Sequence, residues 1–141
     1  MQEIKKDSSK EGMGVVIGRF QTPLLTDGHD DLINHVFNMH EKVLIIIGLS
    51  PVKATKNNPL DFETRRRMIS NAYPKAIIQY IEDHPSDQEW SKKLDKVIEY
   101  NTPPSTQVTL HGSRDSFIRS YHGRYTAEAF EQRVFTSATR V

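Results

Sequence analysis

Gly18-Arg19-Phe20-Gln21, followed after a short interval by Thr26-Asp27-Gly28-His29, is the stretch that decides the fold. It comes straight after the apolar run Val15-Val16-Ile17 and leads into a segment with helical spacing. A strand that stops at a glycine and re-enters a helix through Gly-His makes a pocket of backbone N–H groups at a helix N-terminus. Those first N–H groups have no partner within the helix, and the helix dipole favours negative charge there, so such a pocket binds anions. Gly28 permits close backbone approach, and His29 sets an imidazole donor where a phosphate oxygen would sit. An isolated Gly-His would be read as a histidine capping its own backbone. After a strand that ends in Gly-Arg-Phe-Gln, the reading is a phosphate site.

Working outward, apolar runs alternate with helical patterns. Strand one is expected at about 14–20 and helix one at about 27–40, with Leu32, Ile33, Val36 and Phe37 on one face. Strand two, 42–49, is apolar on every side, as a strand covered by helices on both faces must be. Asp61-Phe62-Glu63-Thr64 opens helix two, which stops near Pro74, and strand three follows at about 76–81. Helix three is expected over 87–100, with Trp90, Leu94, Val97 and Ile98 at helical spacing, and Thr102-Pro103-Pro104 ends it. Strand four covers 107–111, a short helix 116–121, and an extended segment about 126–135. The polar, lysine-rich residues 1–12 read as a flexible tail, leaving one domain over 13–141. The fold class is therefore α/β, a Rossmann-like parallel sheet of about five strands with helices on both faces and right-handed crossovers. In such sheets ligands sit beyond the carboxyl ends of the strands, where strand order switches. The ends of strands one and four fall on that same edge.

Composition narrows the function. The chain of 141 residues has no cysteine, which excludes disulfides, thiolate metal sites and a cysteine nucleophile and fits a cytoplasmic setting. Net charge is +1, too weak to drive nucleic-acid binding, and the apolar run 43–49 is too short to span a membrane. The expected partner is a small molecule. No metal site is expected, since His35 and His40 lack carboxylates at ligand spacing. Neither a Gly-x-Ser-x-Gly elbow nor a G-x-x-x-x-G-K-[ST] loop is present.

Other residues carry weaker signals. Arg19, at a strand's carboxyl end, offers a fork that matches phosphate or carboxylate. In His111-Gly112-Ser113-Arg114-Asp115-Ser116-Phe117, a glycine immediately after a strand lets a flat base or ribose lie against the backbone, and Arg114 and Asp115 offer charged contacts. Taken alone it is a turn with a helix cap. Thr136-Ser137-Ala138-Thr139 reads as ordinary capping residues, and Asn57-Asn58-Pro59 as loop punctuation before a capped helix carrying Arg65. Trp90 reads as a core residue of helix three.

Gly18-Arg19-Phe20-Gln21 with Gly28-His29 and Leu32-Ile33 resembles the G-R-F-Q…H-x-G-H-x-x-L-I signature of nucleotidyltransferases related to nicotinamide mononucleotide (NMN) adenylyltransferase. Three further stretches are similar to that family: Gly112-Ser113-Arg114-Asp115 to its Gly-Ser-x-Asp, 136–140 to its I-S-x-T-x-x-R, and Asn58 through Arg65 to its N-P-x-x-x-x-x-R. The wording through Tyr121-His122-Gly123 looks like the branch that includes fused transferase–Nudix enzymes, although the chain contains no Nudix-type glutamate-rich helix. The resemblance implies condensation of ATP, bound with Mg²⁺, and NMN to give NAD and pyrophosphate. It implies phosphate contacts from His29, Thr26, Arg19, Ser137 and Thr139, and an adenosine border at Gly112, Ser113 and Asp115. Gly18, Phe20, Gln21, Gly28, Asn58, Arg65 and Arg114 would complete the binding surface, and Trp90 would stack on nicotinamide or remain in the core. A homo-oligomer stays open. Two departures stand out. Thr26 replaces the family's first His, and the final Arg of the I-S-x-T-x-x-R motif would follow Val141, so the expectation is either a domain cut short at its C-terminus or a missing cationic partner. Both bear on activity. The alternatives are a nucleotide-binding protein with impaired catalysis, and an adenylyl- or cytidylyltransferase with another acceptor such as phosphopantetheine.

Overall fold

The computed structural model describes residues 10–20, 25–49, 62–113 and 116–130. Five strands, β1 (Met13–Gly18), β2 (Lys42–Leu49), β3 (Ile77–Glu82), β4 (Val108–Ser113) and β5 (Thr126–Phe130), form one sheet in the order β3-β2-β1-β4-β5. Every pairing is parallel. Helices α1 (Asp27–Met39), α2 (Phe62–Ala72) and α3 (Asp87–Tyr100), with a 3-10 turn at Phe117–Ser120, supply the crossovers. The α/β class, the five strands and the helices on both faces stand as read from the sequence. Among the described residues, no helix is long and apolar enough to cross a membrane.

Alternation along each strand builds two cores. Val15 and Ile17 of β1 and Leu44 and Ile46 of β2 point to one face, where Leu94 and Ile98 of α3 cover them. Val16 of β1 and Val43, Ile45 and Ile47 of β2 point to the other, against Ile33 and Val36 of α1 and Ile69 of α2. Leu44, Ile45, Ile46 and Ile47 are fully buried. Each such side chain contributes about 1.5–3 kcal/mol relative to exposure. That burial on both faces is why β2 carries no polar alternation.

Several boundaries move for local reasons. β1 ends at Gly18 rather than Phe20, because Phe20 adopts φ 51° and cannot extend the strand. β4 runs on to Ser113 because β5 pairs alongside it, Gly112 with Ala129 and Ser113 with Phe130. Gly112 therefore lies inside the strand, not just after it as the sequence suggested. β3 starts at Ile77, since Ala76 closes a turn onto the Tyr73 carbonyl. α3 has its expected bounds. The tail at 1–9 and the continuation beyond Phe130 lie outside the described residues.

Beneath β4 lies a histidine cluster the sequence did not announce. His40, the C-cap of α1, donates from Nδ1 to the Glu11 carbonyl at 2.7 Å. Neutral His40 must then accept at Nε2, so His111 donates its Nε2–H across 2.8 Å. His35 meets the His111 ring edge-on and packs on Phe130. His111 is 1% exposed; burial, then the neighbouring His40 and His35, push its pKa down from 6.5 to about 4. The unfolded chain therefore takes up this proton first as pH falls. Stability from this group is full above about pH 6.5 and is lost progressively toward pH 4, by about 3 kcal/mol. Urea unfolding of the chain and of His111→Gln, compared from pH 7.5 to 4.5 (roughly the window), should show a shallower acid loss in the variant. Parallel profiles would remove His111 as the cause.

Candidate functional site

The site is built where β1 stops. Thr26 is the N-cap of α1: its hydroxyl accepts from the His29 backbone N–H, and its own N–H donates to His29 Nδ1, both at 3.1 Å. This reciprocal cap satisfies two N–H groups at once. Its chemical consequence falls on the imidazole. With Nδ1 accepting, the neutral ring carries its proton on Nε2, the nitrogen left to meet a ligand. Burial lowers the His29 pKa, with Asp30 opposing, which keeps the ring neutral and the cap intact. Phe20, 4% exposed, braces the imidazole with ring centroids 4.9 Å apart. The resulting pocket of about 270 Å³ is lined by Gly18, Thr26, Gly28, His29, Gly112 and Ser113, among others.

A larger pocket of about 560 Å³ opens on the other side of β1, over the carboxyl ends of β1, β2 and β3. Arg19, Asp83, His84, Asp87, Trp90 and Phe117 line it. Arg19 Nη2 donates to both Asp83 oxygens, at 2.7 and 2.8 Å, with each side chain partly exposed. Trp90 is half-buried; it packs against the core and lies 6.5 Å from the Phe117 ring. Ile17, Gly18 and Ser116 belong to both pockets, so the two cavities meet at the end of β1.

Buried groups hold these walls. Arg65, 3% exposed, donates from Nη1 to the carbonyls of Arg19 and Gly48. A Cβ at Gly112 would sit 2.5 Å from the Phe117 ring and 2.6 Å from Ser116 Oγ. Gly112 thus admits the 3-10 turn that roofs both pockets. That turn is anchored from behind. Asp95 of α3 accepts from the Tyr121 hydroxyl and the Arg124 N–H, and Ser91 Oγ accepts from the His122 N–H.

Of the residues singled out from sequence, Gly18, Arg19, Phe20, Thr26, Gly28, His29, Trp90, Gly112 and Ser113 converge on these two pockets. Arg65 lies beneath the site as a clamp on the strand ends, and not on a pocket wall. Gln21, Asn58, Arg114, Asp115, Ser137 and Thr139 lie outside the described residues. Sequence reasoning missed the part played by Asp83 as partner of Arg19. The carboxyl-edge rule that located the ends of β1 and β4 applies equally to β3, whose end is Glu82-Asp83, and would have found it.

No protein-family profile and no curated protein matches the chain. Solved structures do. A bifunctional NMN adenylyltransferase/ADP ribose pyrophosphatase from Francisella tularensis, complexed with AMP and a manganese ion, is similar over 92% of this chain and 40% of its own, with 25% identity and TM-score 0.75. A second structure of that bifunctional enzyme aligns with 24% identity over 92% of this chain and 41% of its own, with TM-score 0.71. NadR protein in complex with NAD and AMP-PNP is similar over 92% of this chain and 41% of its own, with 19% identity and TM-score 0.68. The structural neighbours are thus NMN adenylyltransferases and NadR, and the fold is the nucleotidyltransferase one. This chain spans about two fifths of their length.

The cap makes a spectroscopic claim. Nitrogen-detected NMR should show His29 as the Nε2–H tautomer, titrating below 6.5 in the free protein. Thr26→Val should lower the unfolding free energy by about 1 kcal/mol. An Nδ1–H tautomer would mean that Nδ1 is not held by the Thr26 N–H, and a midpoint above 6.5 would mean that Asp30 outweighs burial.

Proposed function

We propose that this chain is a nucleotidyltransferase domain that joins ATP to a mononucleotide phosphate, with NMN the preferred acceptor, giving NAD and pyrophosphate. The observation that supports it most is the meeting of the two pockets at Gly18. A triphosphate at the start of α1 and an acceptor phosphate from the larger pocket would converge there. The solved neighbours carry AMP, NAD and AMP-PNP, which fits a nucleotide site on this fold.

In this reading an acceptor phosphate oxygen attacks the α-phosphorus in line. One P–O bond forms, the bond to the bridging oxygen breaks, and pyrophosphate leaves with that electron pair. No covalent enzyme intermediate is needed; positioning and charge stabilisation supply the rate. His29 Nε2–H donates to a phosphate oxygen. The Thr26 hydroxyl, which accepts from the His29 N–H, retains its own proton for a second. Gly112 and Ser113 border the adenosine, with Arg114 and Asp115 in the same role. Ser137 and Thr139 hold the triphosphate, and Mg²⁺ enters with ATP as part of the substrate. Trp90 offers its free face to the acceptor's ring while its other side stays in the core. Asp83 holds the Arg19 fork over the same pocket.

Thr26 gives a specific reason for a second reading, a nucleotide binder with weak turnover. A hydroxyl is neutral, whereas an imidazolium can offset charge as pyrophosphate departs. Losing one preorganised donor typically costs about 10²–10³ in turnover. His29 and the helix N-terminus still favour ground-state binding.

Pyrophosphate release, scored with ATP and a panel of acceptors, should select NMN over phosphopantetheine. Trp90→Ala should raise the NMN requirement more than the ATP requirement; equal effects would return Trp90 to a purely structural role. Activity with phosphopantetheine alone would replace the acceptor and keep the reaction class.

Thr26→His should raise turnover by about tenfold or more. It should also cost about 1 kcal/mol of stability, since the threonine cap is lost. Unchanged turnover would show that another group already supplies the charge.

A further inference from the structure

We propose that the outer edge of β3 is a self-association surface, on which a second copy of this chain pairs strand to strand about a two-fold axis. Among the described residues, β3 pairs with β2 on one side and with no strand on the other. A free edge displays unpaired N–H and C=O groups, and chains that stay apart guard such edges with proline, inward lysine or a bulge. Ile77-Ile78-Gln79-Tyr80-Ile81-Glu82 has no proline or lysine, and its register with β2 runs unbroken from Leu44↔Ile77 to Leu49↔Glu82. Two exposed large hydrophobic side chains flank this edge, Tyr80 (48% exposed) on the α2 face and Tyr100 (88%) on the α3 face, in a groove of about 640 Å³ that Lys93 and Lys96 also line.

Two-fold geometry selects the register. An axis perpendicular to the sheet makes the strands antiparallel and leaves each face on its own side, so directly opposed residues share a face. Ile77 and Ile81 pack toward α3, while Ile78 packs toward α1 and α2 and Tyr80 meets Phe62 of α2. Centring the axis on Gln79 opposes Ile77 with Ile81 and Ile78 with Tyr80, apolar against apolar on both faces. Centring it on Tyr80 would oppose Ile78 with Glu82. The Gln79 register also sets Lys75 of one copy opposite Asp83, which Arg19 already engages, and next to Glu82 of the other copy, twice over. The strand begins beside a cation and ends in carboxylates, so antiparallel pairing of two copies matches opposite charges at both ends. This self-complementarity favours a second copy over an unrelated peptide. The proposal rests on the fold and not on the proposed activity.

Because the chain has no cysteine, single-cysteine variants report without background. Sedimentation of the chain from low micromolar to submillimolar concentration should show a monomer–dimer equilibrium. Gln79→Cys, self-opposed across the axis, should close an intermolecular disulfide under mild oxidation, whereas Met39→Cys, exposed on α1, should not. Tyr80→Lys should weaken the dimer by about tenfold or more, and Tyr80→Phe should preserve it. Thermal melts of each variant report an intact fold. A monomer across the whole range would overturn the proposal. So would cross-linking of Met39→Cys as readily as Gln79→Cys, or Tyr80→Lys associating like the unmodified chain.

Discussion

Arg65 donates from Nη1 to the carbonyl oxygens of Arg19 and Gly48, and so ties the segment leaving β1 to the end of β2. Removing a guanidinium from water costs several kcal/mol unless its donors find partners. The carbonyls at the end of a parallel sheet carry the mirror problem, since the ladder that paired them has stopped. One buried side chain answers both needs. It also fixes the point from which the chain turns through the left-handed conformation of Phe20. That turn brings the Phe20 ring onto His29, so the imidazole is braced from a strand end and capped from a helix start. The imidazole that lines the pocket is therefore positioned by a strand end and a helix start together.

The layout of the sheet was legible because it follows from periodicity. β2 is apolar on consecutive residues and can only be a strand covered on both faces, and α3 carries Trp90, Leu94, Val97 and Ile98 between a serine cap and Thr102-Pro103-Pro104. Details set by partners distant in sequence were not legible. β4 gains Gly112 and Ser113 only because β5 lies beside them. The reach of Arg65 to Arg19 O and Gly48 O depends on crossover geometry that local patterns do not encode. Thr26 is instructive: as a departure from a signature it suggested lost charge, while the structure also makes it the residue that fixes the tautomer of His29. Arg19 offers a fork that matches phosphate or carboxylate, and the end of β3 supplies a carboxylate.

Support behind the pockets comes from the stretch around Tyr121-His122-Gly123, which resembled a family feature but had no evident role. Its hydrogen bonds run to Ser91 and Asp95 on α3, and the burial and the Asp95 bond both push the Tyr121 pKa up, so the phenol stays a donor. A Cβ at Gly123 would come within 2.4 Å of Asp95 Oδ1, so a larger residue there would displace the Asp95 carboxylate from its partners. α3 thus carries Trp90 in its first turn and, through the adjacent Ser91 and the mid-helix Asp95, anchors the segment that follows the turn bearing Phe117. The two aromatic walls of the larger pocket are therefore tied to one helix.

Charge balance sets the remaining constraint. Among the described residues lining the two pockets, Arg19 is the one arginine or lysine, and Asp83 already engages it. His29 is held neutral by burial and by its cap. A triphosphate arriving there would meet oriented dipoles more than net positive charge. Dipoles at a helix start bind an anion that is already present, but they add little as further charge builds on a leaving group. In the proposed reaction, ground-state binding and turnover are therefore separable. The N–H groups at the start of α1 would carry the first, and the second would depend on the cationic charge that Mg²⁺ brings with ATP. Thr26 sits at that division. Its hydroxyl caps the start of α1, and in the proposed reaction that same hydroxyl would lack the charge that speeds the departure of pyrophosphate.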